Sequence, residues 1–430
     1  MSNKLARTSI GQIFGKLEPI TLRAIFFSIS LVPKATSILI ILFVLVSLPN
    51  FKKNYLRNLW HRKDMLLYIV MYLLLLLGLI YSIELDTGIS KIQTQLSMLI
   101  FPLILGGQRL SEKSRQDCIQ YFIFGLTVAV MLCFGNALYR AVSNGSFYVL
   151  DEFSIKNSIF VYHEFSALLD LHPTYFSLYL SVGLFCFIET NSLKTKFNSW
   201  TRIFLAGLFF IALFLTSSKA GIFSFIAIAL GFYNYKIFVQ KQKNHMRILI
   251  LLIVGVIAMF VINPILYNRS VIGLTSFEKA IFEDKHLNES TSIRYYLWEL
   301  SFEASKESFL LGHGTGSVGK ILNERCLEFF AFSTCETLRN KNSHSQYLNF
   351  LVSNGAIFVL IFVLALIIGI IRAYYTRDKL FILFILLMSL NFMFESLLQR
   401  ERGIVFFMLF VVMLSVTRKE IVKKTKNFDL

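Results

Sequence analysis

The chain is short of charge, of proline and of paired cysteine spacings. Only 16% of its 430 residues are Asp, Glu, Lys or Arg, where a soluble domain carries about 25%. With 55% hydrophobic residues, the composition is that of a polytopic membrane protein. Only six prolines interrupt it, so long stretches are free of helix breakers. Five cysteines with no Cys-x-x-Cys spacing give no support to a structural zinc site. No internal repeat or low-complexity run is visible, which weakens readings built on paired repeats. Residues 1–19 are polar and mildly basic, and no small-residue cleavage site follows the first apolar run. No cleavable signal peptide is therefore expected.

What the chain has in quantity is apolar segments. They lie near 20–33, 35–49, 64–82, 95–106, 118–138, 172–189, 201–216, 220–236, 247–265, 346–371, 379–397 and 403–417. The expected fold is an all-α polytopic membrane protein with about twelve spans (10–12). A spanning helix needs about 20 apolar residues, so the short pieces at 20–49 and 95–106 are candidates for broken or re-entrant spans. The first two, separated by Pro33-Lys34, are also readable as one long broken helix, and residues 83–94 read as an amphipathic surface helix.

The net charge of +17 could suggest a nucleic-acid partner, but its placement argues for topology. A majority of the 43 Lys and Arg fall on alternate loops, such as Lys52, Lys53, Arg57, Arg62 and Lys63, or Arg372, Arg377 and Lys379. Cytoplasmic loops are the basic ones, so both termini are expected in the cytoplasm and no nucleic acid is expected as a partner. The organisation expected is an N-terminal bundle over 1–265, a large outside loop over 266–345, C-terminal membrane helices over 346–417 and a basic tail over 418–430. The outside segment 139–171 carries Asp151, Glu152, Glu164 and Asp170.

The large loop holds most of the chemistry-bearing residues. Arg294 falls in the first turn of an expected helix capped by Asn288, Ser290 or Thr291, the unfavourable end for a cation. It needs an anionic partner, either Glu299 or Glu303 or a bound phosphate. Trp298 lies one turn on. Gly312-His313-Gly314-Thr315-Gly316 is a weak nucleotide signal without a preceding strand and a following Lys. Its glycines are expected to make a tight turn against the helices, with His313 part of that turn and retained as a substrate-side candidate. His344 sits at the outer start of the apolar run 347–371, either as a polar cap or as a proton-exchanging group.

Further candidates come from other outside turns. Lys219 follows Thr216-Ser217-Ser218 and precedes Ala220-Gly221. It is placed to hold an anion with the first helix amides, or to snorkel from a tight turn. His172-Pro173-Thr174-Tyr175 opens another helix. Glu395 falls inside an apolar run and needs a partner. Arg400-Glu401-Arg402 reads as a solvated turn or as part of the same site. Cys326 and Cys335 both lie in the large loop, where an oxidising compartment would permit a disulfide.

In this order, the motifs resemble the O-antigen ligase and polymerase-like membrane glycosyltransferases. The resemblance covers about residues 20–417 through topology, and its motifs lie in 216–221 and 291–358. They are Ser218-Lys219, Arg294 with Trp298, the Gly312–Gly316 stretch, and His344-Ser345 followed by Gly355. His172-Pro173-Thr174-Tyr175 is similar to members of the group as well. Two positions differ: the family usually has Arg where this chain has Lys219, and Phe358 replaces a residue that is often small or polar.

The resemblance implies transfer of a glycan from undecaprenyl pyrophosphate to an acceptor hydroxyl, at the periplasmic face of a bacterial inner membrane. It implies no cofactor or metal. On it, Arg294 and Lys219 stabilise the pyrophosphate with Arg400 or Arg402 as helpers. His344 orients or activates the acceptor, and Glu395 is an alternative base or an orienting partner. The first reading of the acceptor is lipid A-core, hence a ligase. The alternative is a polymerase acting on another lipid-linked repeat, and a further branch acts on protein. A flippase ranks below these, because helix interiors are almost free of charge and one outside loop dominates.

Overall fold

The computed structural model describes residues 2–50, 54–150, 156–190, 193, 198–282, 290–330 and 332–417. Asp151, Glu152, the cap candidate Asn288 and the basic tail 418–430 lie outside these. The described chain is helical except for one antiparallel ribbon, Tyr148–Leu150 with Lys156–Ser158, in register Val149↔Asn157.

Five helical stretches are long and apolar enough to cross a membrane: Leu85–Leu105, Glu112–Ser143, Lys219–Val239, Lys243–Ile262 and Gln346–Tyr375. A sixth arises if the pair His163–Leu169 and Pro173–Glu189, bent by 82°, counts as one. Other apolar segments form shorter helices, among them Pro33–Ser47, Ser199–Leu215 and Lys379–Phe394. At about 1.5 Å per residue, helices of 15–17 residues fall short of a hydrocarbon core of about 30 Å. Residues 83–106, expected as a surface helix plus a half-span, form two helices, Leu85–Thr94 and Ser97–Leu105, nearly end to end. Ser2–Ser28 and Pro33–Ser47 are two separate helices packed on each other, not one broken rod. The Ser28 and Thr36 hydroxyls meet across their turn at 2.9 Å.

Many of the 44 phenylalanines pack in the core. Every residue from Gly403 to Val416 on the Glu401–Val416 helix is buried. Phe410 on that helix meets Phe26, Phe122 and Phe384, with ring centroids 5.2, 5.0 and 5.4 Å away. Such pairs add about 0.5–1.5 kcal/mol each beyond area burial. At the other extreme, Leu251, Val254, Ile257 and Val261 of the Met246–Ile262 helix are exposed, a surface suited to lipid rather than water.

Charged groups gather at the two ends of the bundle. Gln346–Tyr375 has His344 just before one end and Arg372 near the other. Around Arg372 lie the loops expected inside. Arg372 donates to the Ser415 carbonyl at 2.9 Å, and Arg62 donates to the Ser415 hydroxyl at 2.8 Å. Buried Arg115 makes a two-pronged pair with Asp378, at 2.6 and 2.9 Å. Desolvation makes an isolated buried charge costly, so these pairs pin the loops together. Around His344 gather the segments expected outside.

The large loop folds over this second end as helices Pro264–Phe282, Ser290–Glu307, Val318–Phe329 and Phe332–Leu338. It has a small core of its own around Tyr296, Leu297, Leu300, Leu322 and Cys326. Cys326 and Cys335 are disulfide-bonded, with Cα atoms 5.6 Å apart.

Candidate active site

The glycine run works as a clasp. Gly312, Gly314 and Gly316 all have positive φ, and the backbone between them threads against two membrane helices. The His313 and Gly314 amides donate to the Val352 and Ser353 carbonyls, at 2.9 and 2.8 Å, and the Thr315 amide donates to the Gly78 carbonyl at 3.0 Å. Opposite, Gly355 breaks its helix at φ 77°, ψ 179°, and a Cβ there would come within 2.2 Å of the Leu310 carbonyl oxygen. Only glycine permits both that conformation and that approach. These amides are engaged by protein carbonyls, so the run does not form a phosphate cradle. The His313 ring bonds the Ala304 carbonyl at 2.8 Å, and His313 lines neither of the two cavities described below.

With the loop so held, the start of the Ser290–Glu307 helix faces the turn after Lys379–Phe394. Arg294 there forms an ion pair with Glu395 and donates to the Phe394 carbonyl at 3.2 Å. Its partner is thus neither Glu299 nor Glu303 of its own helix. The second Glu395 oxygen lies 3.2 Å from His344 Nδ1. Burial works to raise the Glu395 carboxyl, but the bond to His344 and the Arg294 charge outweigh it and hold the group at about 2. Glu395 is therefore a carboxylate joining a guanidinium to an imidazole.

His344 is fixed from both sides. Its backbone is left-handed, with φ 43°, and its amide donates to Asn342 Oδ1 at 2.9 Å. Its carbonyl accepts from Trp298 Nε1 at 3.4 Å. Nδ1 faces the carboxylate, and Nε2 is the ring nitrogen left facing away from Glu395.

Lys219 begins the Lys219–Asn234 helix, whose cap is the Ser218 hydroxyl, accepting from the Gly221 amide at 3.3 Å. Its ammonium reaches Thr291 Oγ1 at 2.9 Å, one turn before Arg294. Lys219 and Arg294 both line a cavity of about 470 Å³ whose other walls are largely apolar, among them Phe223, Ile226, Leu274, Phe277 and Trp298. Two cations therefore stand at the edge of an apolar chamber.

Of the remaining candidates, His172 and Tyr175 lie within electrostatic reach of Glu395. His172 caps the Pro173–Glu189 helix by accepting from the Thr174 amide at 3.3 Å. Tyr175 packs on Gly403. Arg402 donates to the Leu169 carbonyl at 3.0 Å and lines neither cavity, while Arg400 lines a second, polar one. Thr291 and Asn342 escaped sequence reasoning as site residues, because each matters only through a contact with a distant segment. Among the described residues, no group of three His, Cys, Asp or Glu is placed to hold a metal ion.

No curated protein matches the chain significantly. Residues 204–364 match the family model described as O-antigen ligase. The matched stretch contains Lys219, Arg294, Trp298, His344 and Gly355, residues that the fold joins into the clasp and the charged cluster, and over this stretch the chain is similar to that family.

Proposed function

We propose that the chain is a membrane glycosyltransferase of the O-antigen ligase type. It moves an O-antigen-like glycan from undecaprenyl pyrophosphate to lipid A-core at the periplasmic face of the inner membrane. The observation that carries this reading is the Arg294–Glu395–His344 chain, whose Arg294 lines an apolar cavity together with Lys219. An isoprenoid tail suits the apolar walls, and its pyrophosphate suits the two cations at the edge.

The acceptor hydroxyl attacks the anomeric carbon as the bond from that carbon to the pyrophosphate oxygen breaks. Undecaprenyl pyrophosphate leaves with the bonding pair, and His344 Nε2 takes the hydroxyl proton. Glu395 holds the imidazole tautomer and balances the imidazolium that forms, while Arg294 and Lys219 meet the charge developing on the leaving group. No metal enters this scheme. Twelve spans, cytoplasmic termini and the division at 265, 345 and 417 belong to the same proposal.

The test is glycan analysis of a deletion strain, with lipid A-core and lipid-linked intermediates probed separately. Accumulation of long, unattached lipid-linked glycan, rescued by wild type and not by Arg294→Ala, is expected. Lipid A-core carrying single repeats would overturn the ligase reading in favour of a polymerase.

A further inference from the structure

The second cavity, of about 170 Å³, is different in kind. Asn342, whose side chain holds the His344 amide, is one of its lining residues. Lys91, Lys341 and Arg400 also line it, no carboxylate does, and among the described residues none of the three forms an ion pair with a carboxylate. Cations gathered without a counter-charge select an anion. The floor is made of carboxamides: Gln95, Asn349 and Gln399 are 2%, 3% and 8% exposed. Gln95 Oε1 is buried with no hydrogen-bond partner.

The carboxamides and the cations together set the ligand class. An orphaned buried acceptor costs about 1–3 kcal/mol, and a fully ionised anion such as sulfate cannot relieve it, because it brings only acceptors. The ligand must carry hydroxyl donors together with its negative charge. We infer that this pocket is the acceptor-side subsite and that it takes one anionic sugar residue, a phosphorylated sugar or a uronic acid, with its charge toward Lys91 and Arg400 and its hydroxyls on Gln95 and Asn349. The inference rests on the transferase reading above for the word acceptor. His344, clamped between Trp298 of the apolar cavity and Asn342 of the polar one, stands where a sugar from one side meets a lipid-linked glycan from the other.

The test is ligand-observed NMR on the full chain in nanodiscs, with glucose 6-phosphate, galacturonate, glucose and inorganic phosphate as probes. Glucose 6-phosphate or galacturonate should bind about tenfold more tightly than glucose or inorganic phosphate, the scale of one charge-assisted hydrogen bond. Whichever of the two binds better identifies the anion. Gln95→Leu and Lys91→Gln should each weaken that binding about tenfold. Equal binding of glucose removes the anionic requirement, and equal binding of inorganic phosphate removes the sugar. Binding unchanged in both variants removes the pocket. Undecaprenyl pyrophosphate binding, measured on the same samples, should be unchanged by these two variants and lost in Arg294→Ala. Failure of that arm alone overturns the donor reading and leaves the sugar pocket standing.

Discussion

Replacing Glu395 by Gln keeps the shape of the side chain and removes its charge. In the fold its carboxyl is held at about 2, against an ordinary 4.5, because Arg294 and His344 both favour the carboxylate. The depression, applied through linkage, corresponds to about 3 kcal/mol of stability at neutral pH. Since the folded value lies below the unfolded one, that stability is fully present above 4.5 and is lost as pH falls toward 2. Glu395→Gln should therefore be less stable than wild type by about 2–3 kcal/mol at pH 7. The gap should close as pH drops below 4.5, as read from denaturant unfolding of detergent-solubilised protein across pH 3–7. Glycan transfer should fall further than stability implies, by about a hundredfold or more, because the His344 tautomer and its imidazolium lose their support. Equal stability of variant and wild type at pH 7 would refute the ion-pair chain. Full transfer activity would refute its role in the chemistry.

Three other outcomes follow from the same geometry. His344→Gln should lower transfer by about 10²–10⁴ while undecaprenyl pyrophosphate binding is retained. Loss of binding and transfer together would assign His344 to donor binding instead. Gly355→Ala should destabilise the protein by about 2 kcal/mol or more, because it meets both a positive φ and the Leu310 carbonyl. Native-like melting in a fluorescence-detected thermal scan would remove the clasp. Cys326→Ser should cost about 2–3 kcal/mol, the closure entropy of a short loop, and make the large loop cleavable by protease at lower denaturant. An unchanged cleavage profile would show that the bond of nine-residue separation does not hold the loop.

Part of this site was legible because two residues stood against local rules. Arg294 sat at the wrong end of a helix dipole, and Glu395 interrupted an apolar run. Each discrepancy called for a partner, and the fold answers both with one ion pair. The pairing itself was out of reach: nearby Glu299 and Glu303 were the sequence's own candidates, and the actual partner is 101 residues away. The glycine run was legible as a turn, since GxGxG lacked the strand and lysine of a phosphate loop, but its docking face at Gly78 and Gly355 was not. Segment boundaries were not legible, because apolar composition does not state helix length. The stretch at 379–397 ends as a helix at Phe394, where the chain turns extended at Glu395. The polar cavity left no local signal at all. Lys91 and Gln95, Asn349, and Arg400 come from three separate segments, and each alone reads as an ordinary surface or helix-end residue.

The placement of the two cavities bears on why the charged cluster sits at an edge. A pyrophosphate ester of a long isoprenoid has its reacting bond at the boundary between an apolar and a polar medium. A site deep in the bundle would have to desolvate the acceptor, and one in open solution would lose the tail. Lys219, Thr291, Arg294, Glu395 and His344 follow one another by contact or along one helix. The cavity at the first three is walled by phenyl rings, and the cavity at Asn342, which holds the His344 amide, by carboxamides. On the proposed reading, the chemistry is placed between the two. The cations are shielded enough by neighbouring apolar groups for their charge to act strongly on a leaving group. His344, 31% exposed at its side chain, keeps the access that an incoming hydroxyl needs.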